Sequence, residues 1–98
     1  MLNSKQRARL RGQANGIDTI LQVGKDGVSE NLIVQADEAL TARELIKLRV
    51  LENAPGKAKE LAPLVAEATH SECVQVIGTR FVLYRRNPDK KQYDACLQ

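Results

Sequence analysis

The spacing of apolar residues changes from helical to alternating and back in the first part of the chain. Over residues 4–15 the few apolar side chains form a narrow stripe at helical spacing, with Ser4 as the expected N-cap and Gly16 as the expected stop. Thr19–Val23, "TILQV", is a short β-type run that ends at a glycine. After Ser29 the apolar residues again recur at helical spacing, which predicts a second helix capped by that serine.

The run "ELIKLRVL", residues 44–51, alternates between apolar and basic residues and predicts a half-buried strand. Ile46, Leu48 and Val50 face one side, and Lys47 and Arg49 face the other. The two basic side chains are consistent either with contact to phosphate or with simple solvation.

A third helix follows the breaker-rich segment "ENAPGK" and extends to about His70. Because Pro63 lies inside this pattern, either the regular helix begins near Ala62 or it is kinked at the proline. The residues expected to face inward are Ala58, Leu61, Leu64, Val65 and Ala68. The runs "CVQVI" and "RFVLYR", separated by Gly78 and Thr79, then predict a β-hairpin.

The predicted order is helix, strand, helix, strand, helix, strand, strand, which indicates a single layered α/β domain with a four-stranded mixed sheet. We place this domain at residues 1–86 and expect the polar tail, residues 87–98, to fray. Polar residues on one side of the predicted strands leave at least part of one sheet face uncovered. These residues are Gln22, Lys47, Arg49 and Gln75.

The composition narrows the class of protein. Ninety-eight residues with 43% hydrophobic and 28% charged content describe one ordinary globular domain. No apolar run is long enough to span a bilayer, and two distant cysteines, Cys73 and Cys96, fit neither a disulfide framework nor a zinc site. We therefore expect a cytoplasmic protein that binds no metal, cofactor, membrane or small-molecule substrate, and a monomer. His70 has no nucleophile or carboxylate to serve, so we expect a surface residue and no enzyme.

Charge is segregated along the chain, although the net value is only +3. Residues 1–16 carry four basic residues and no acid, residues 78–91 carry five basic residues and one acid, and residues 17–77 carry six basic and ten acidic residues. If the two basic ends meet in space, they form a patch for a polyanion. The alternative is two solvated termini.

The segment "VGKDGVSENLI" contains a G-x-x-G sequence, Gly24-Lys25-Asp26-Gly27, that could be an ordinary hairpin turn. The helical spacing after Ser29 favours a loop between a strand and a helix N-terminus, where backbone N–H groups attract anions. Asp26 would oppose a phosphate there. In the final strand Phe81 and Tyr84 could stack on bases, although alternation requires at least one of them to lie in the core.

Three ordered blocks, "VGKDGVSENL", "RELIKLRVL" and "CVQVIGTRFVLYR", closely resemble the CRM domain (chloroplast RNA splicing and ribosome maturation) in its stand-alone bacterial YhbY-like form. The resemblance covers residue 2 to about residue 86. It implies a fold similar to the C-terminal domain of initiation factor three, and a non-enzymatic RNA-binding protein that associates with precursors of the large ribosomal subunit. At the end of the third helix the family usually has glycine where this chain has His70, so the resemblance does not determine the geometry of that turn.

The resemblance, together with the charge pattern, gives a set of expected RNA-binding residues. They are Gly24, Lys25, Asp26 and Gly27 in the loop, Lys5, Arg7, Arg9 and Arg11 in the first helix, and Lys47, Arg49, Arg80 and Arg85 in the strands. A different class of function stays open, that of a protein-interaction module that docks on a ribosomal protein.

Overall fold

The computed structural model describes residues 2–97, and its first seven helices and strands follow the predicted order, after which comes a short helix that was not predicted. They are α1 (Ser4–Ala14), β1 (Thr19–Val23), α2 (Glu30–Arg43), β2 (Leu45–Val50), α3 (Ala58–Thr69), β3 (Glu72–Ile77), β4 (Arg80–Tyr84) and α4 (Asp94–Leu97). The strands form one sheet in the order β1-β2-β4-β3, with β1 and β2 parallel and the other pairs antiparallel. The predicted α/β class and four-stranded mixed sheet are confirmed. In the described range, no helix is both long and apolar enough to cross a membrane.

The first helix begins with a reciprocal cap at Asn3, so the prediction of Ser4 as N-cap is wrong. The main-chain N–H of Gln6 donates to the Asn3 side-chain oxygen over 2.8 Å, and the main-chain N–H of Asn3 donates to the Gln6 side-chain oxygen over 3.1 Å. A cap at Ser4 would place Arg7 at the reciprocal position, and a guanidinium cannot accept a hydrogen bond. The predicted cap of α2 is confirmed, because the Ser29 hydroxyl accepts from the Leu32 amide.

The third helix is regular from Ala58 onward and carries Pro63 on its solvent side. Proline lacks the N–H that would bond to the carbonyl one turn earlier, and on the solvent side that carbonyl can bond to water instead. The prediction that Leu64 and Ala68 face inward is wrong, since both are exposed. The helix ends at His70, which takes the left-handed conformation (φ 55°) where glycine is the more usual residue.

The two faces of the sheet are buried to different extents. Helices α2 and α3 cover one face, and the apolar side of β2 forms the core there with Phe81 and Leu83. The other face is covered only at one end, where Leu10 and Ala14 of α1 pack against Leu45 and Val82. This arrangement leaves the remainder of the second face open, as predicted.

Residues 87–97 fold back on the domain, whereas the sequence predicted a polar tail there. Glu44 is fully buried between α2 and β2. Its carboxylate accepts one hydrogen bond from the main-chain N–H of Asn87 over 3.0 Å and another from the main-chain N–H of Gln92 over 2.6 Å. Tyr93 then packs edge-on against Tyr84, with ring centroids 6.2 Å apart. The sequence gives no sign of this because the anchor is one carboxylate far away in the chain and its targets are main-chain groups.

Glu44 also has an unusual backbone conformation, with φ 64° and ψ −44°. A side chain with a Cβ takes such a conformation only where surrounding contacts hold it, at a cost of roughly 1–3 kcal/mol. Its amide donates to the Leu40 carbonyl and its carbonyl accepts from the Arg85 amide. The residue is therefore hydrogen-bonded through main chain and side chain at once.

We expect Glu44→Gln to lower the free energy of unfolding by about 1.5–3 kcal/mol, because an amide offers one acceptor oxygen where the carboxylate offers two. Urea unfolding measures the change. Glu38→Gln, at an exposed position of α2, is the matched control and should alter stability by less than about 0.5 kcal/mol. Equal stability of the two variants would contradict the anchoring role of Glu44.

Candidate nucleic-acid interface

Three basic side chains lie together on the open part of the second sheet face. Lys47 and Arg49 are on this face because β2 alternates, with Ile46, Leu48 and Val50 filling the core on the opposite face. Arg80 begins β4 and lines a shallow concavity with Lys47, next to Asn15 at the end of α1. Lys47 is half-buried, whereas Arg49 and Arg80 are exposed. We call Lys47, Arg49 and Arg80 the basic face.

The register of the central strands places Arg49 directly opposite Arg80. Like charges at such a cross-strand position destabilise a sheet. Within residues 2–97, no carboxylate forms an ion pair or hydrogen bond with any member of the basic face. The sheet thus concentrates positive charge at its centre without compensating it internally, which is typical of a surface that receives an anion.

The G-x-x-G loop joins β1 to α2, as the spacing predicted, so it is not a hairpin turn. The Gly27 amide donates to the Gly24 carbonyl over 3.0 Å, and the Ser29 amide donates to the Gly27 carbonyl over the same distance. These two amides serve the loop itself. The loop consequently presents the Lys25 and Asp26 side chains, both exposed, more than it presents free main-chain donors.

The two glycines have different structural roles. Gly27 is buried with φ +62°, and a Cβ there would lie 2.7 Å from Cγ of Pro55. A Cβ on Gly24 would meet nothing closer than 3.8 Å, and its backbone has no positive φ. Gly27 therefore fixes the loop against the segment that follows β2, while Gly24 carries no comparable constraint.

Gln22 connects the loop to the basic face. It is exposed on β1 and pairs in register with Arg49. It also lines an open polar cleft of about 480 Å³ beside the loop, together with Gln35 of α2 and Asn53. Asn53 and Gln35 were not among the predicted site residues, because Asn53 belongs to a distant loop and Gln35 looks like any exposed polar residue of α2.

The basic residues of α1 flank the same side of the sheet. Arg7 lies 3.8 Å from Glu72 of β3, whose carboxylate also accepts from the Leu2 amide. Lys5 is exposed, whereas Arg9 and Arg11 are half-buried. Since α1 rests on this face by Leu10 and Ala14, the structure brings its basic residues to the side of the sheet that carries the basic face.

Arg85 is the predicted site residue that the structure places elsewhere. Its guanidinium donates to the Asp37 carboxylate and the Thr69 carbonyl, each over 2.6 Å, and to the Asp37 carbonyl and Thr41 hydroxyl. These partners belong to α2 and α3, which cover the opposite face of the sheet. Arg85 holds the ends of the two helices together, and its grouping with Lys47 and Arg49 is wrong.

The two aromatic residues of β4 are both buried, Phe81 at 0% exposure and Tyr84 at 5%. Phe81 packs in the core beneath α2 and α3, and Tyr84 packs with α1. Neither ring is available to stack on a base, so that hypothesis is wrong.

The chain matches the family model of the CRS1/YhbY (CRM) domain over residues 2–85. It is 43% identical to the "Probable RNA-binding protein YqeI" of Bacillus subtilis, over 96% of this chain and 98% of that protein. It is 32% identical to an "RNA-binding protein" of Haemophilus influenzae, over 92% and 91% of the two chains.

The fold has a solved counterpart. The solution structure of the hypothetical protein SAV1595 from Staphylococcus aureus superposes with a TM-score of 0.77 at 52% sequence identity, covering 89% of this chain and 91% of the other.

We expect Gly27→Ala to lower the free energy of unfolding by about 1–3 kcal/mol, because alanine disfavours positive φ and its Cβ would displace Pro55. Gly24→Ala is the matched control and should leave stability within about 0.5 kcal/mol of the wild type. Urea unfolding of both variants provides the comparison. If the two alanines have the same effect, the asymmetry between the glycines does not hold.

Proposed function

The chain belongs to the CRS1/YhbY (CRM) domain family, and on that premise we propose that it is an RNA-binding protein acting on the precursor of large-subunit ribosomal RNA. The observation that carries RNA binding is the basic face, in which Arg49 and Arg80 are held side by side without a carboxylate partner among residues 2–97. Phosphate oxygens would supply the missing negative charge.

Binding is mainly electrostatic in this proposal. Phosphates lie along the basic face and reach the loop, where Lys25 contributes a mobile cation. Gln22 and Asn53 offer neutral polar groups between the two, suited to sugar hydroxyls and phosphate oxygens. Asp26 weakens the loop as an anion site, so the loop guides the backbone while the sheet provides most of the attraction.

We assign the protein no catalytic step and regard it as an assembly factor for pre-50S particles. The resemblance of the three sequence blocks, which implies association with large-subunit precursors, supports this assignment. Separately, burial raises the pKa of the Cys73 thiol and so disfavours its thiolate form.

We expect affinity for RNA to fall steeply with salt, with a slope of the log–log plot that becomes shallower by about 0.7 for each phosphate contact removed from a single strand. The double variant Arg49→Gln and Arg80→Gln should lose about two such contacts, and Lys25→Ala about one. Fluorescence anisotropy over a salt series measures the slopes. An unchanged slope in the double variant would remove the basic face from the interface.

Arg85→Gln is the control for the loss of an arginine. It should leave the salt slope unchanged, since its guanidinium faces α2 and α3, but it should lower the free energy of unfolding by about 1–3 kcal/mol. If Arg85→Gln is as stable as the wild type but binds RNA less tightly, Arg85 belongs to the RNA interface and our placement of it is wrong.

Crosslinking in cells followed by sequencing of the bound RNA tests the identity of the ligand. We expect precursor sequences of the large-subunit RNA to be enriched over small-subunit RNA, and the double variant to lose this enrichment. An even distribution over cellular RNAs would contradict the precursor as ligand without affecting the proposal that the protein binds RNA.

A further inference from the structure

A second open cleft, of about 540 Å³, lies at the same end of the sheet as the G-x-x-G loop. Pro55 belongs to both features, since its ring contacts Gly27 and also lines the cleft. The walls are apolar side chains and main chain from three parts of the chain, the segment after β2, the start of α3 and the β3–β4 turn. They include Val50, Leu51, Ala54, Pro55, Gly78 and Thr79.

The cleft borders the basic face along the chain. The Val50 amide donates to the Thr79 carbonyl over 2.7 Å, which joins the two walls. Val50 directly follows Arg49, and Thr79 directly precedes Arg80. Successive side chains of a strand point to opposite faces, so Arg49 lies on the open face and Val50 on the core side. An RNA strand held by the arginines therefore has to pass round the end of the sheet, at Gly78 and Thr79, to place a base in the cleft.

The charged side chains around the cleft make it a poorer site for phosphate than the basic face. Glu52, Lys57 and Glu60 line it, two acids against one base, whereas the basic face consists of three basic side chains. The Glu60 carboxylate already has a structural role, since it accepts a hydrogen bond from the main-chain N–H of Lys57 over 3.1 Å at the start of α3. The exposed Glu52 carboxylate forms no ion pair or hydrogen bond with any residue in the described range.

Apolar walls suit the flat surface of an unstacked base, and protein carboxylates accept hydrogen bonds from exocyclic amino groups such as that of cytosine. A base can enter while its own phosphate stays outside on the arginines. Uracil carries a carbonyl in place of that amino group and would leave Glu52 facing an acceptor.

We propose that this cleft takes one unstacked nucleobase with an exocyclic amino group, cytosine being the best match, from the RNA strand whose phosphates lie on Arg49 and Arg80. Glu52 accepts the hydrogen bond from that amino group. The inference rests on the proposed function, because it needs RNA on the basic face.

The first test uses a short single-stranded RNA of mixed sequence in which each nucleotide in turn is made abasic. For the wild type, one position should lose about tenfold in affinity when its base is removed. Thr79→Leu narrows the cleft from an exposed position and should lose a similar factor on the intact RNA, with no further loss on the abasic one. Ala68→Leu, at an exposed position far along α3, should behave as the wild type.

The second test replaces the base at the sensitive position. The wild type should prefer cytosine to uracil by at least about fivefold, and Glu52→Gln should bring this ratio close to one. Glu38→Gln removes the same charge on α2 and should keep the ratio. Because the readout is a ratio between two RNAs, a general gain in affinity from the lost negative charge does not affect it.

The outcomes separate this inference from the function on which it rests. If RNA binds with the expected salt dependence but every abasic position is equivalent, or if Glu52→Gln keeps the cytosine preference, the cleft does not hold a base and the basic face stands. If the wild type does not bind RNA at all, both proposals fail.

Discussion

The pairing of β2 with β4 at the centre of the sheet determines what the rest of the molecule can do. Each of these strands must bury alternate residues under α2 and α3, and the residues between them are thereby turned to the opposite face. Helix α1 covers only one end of that face. The register then fixes Arg49 opposite Arg80, so the packing of the core and the position of the positive charge have the same cause.

That arrangement separates the residues that stabilise the fold from those that we propose bind RNA. The arginines illustrate the difference. Arg85 donates four hydrogen bonds to α2 and α3. Arg49 and Arg80 lie on the opposite side of the sheet, directly across from each other on neighbouring strands. Arg85 directly follows Tyr84, the last residue of β4, so its side chain points to the face opposite to the one that carries Tyr84 and Arg80. Clusters of unneutralised charge reduce stability and are expected where a polyanion supplies the neutralisation.

Patterns within one element were predictable from the sequence. The alternation of β2 gave Lys47 and Arg49 their side of the sheet, and helical spacing after Ser29 distinguished a strand–helix loop from a hairpin. Features that depend on pairing between distant segments were not predictable. The buried Glu44 looks like any residue at a helix end, and the role of Gly27 depends on contact with Pro55, which lies in another loop.

The attachment of the C-terminal segment through Glu44 has a consequence for how its sequence can vary. The carboxylate recognises main-chain N–H groups at positions 87 and 92, and every residue except proline provides such a group. The side chain at position 92 can therefore change without loosening the attachment, whereas position 44 has to keep an acceptor with two oxygens. Position 87 is more restricted, because the Asn87 side chain also donates to the Thr41 carbonyl over 2.7 Å and accepts from the Asp89 main-chain N–H over 3.0 Å. Among related chains, this connection would be visible as one invariant acid, a retained amide side chain at position 87 and a site at position 92 that excludes only proline.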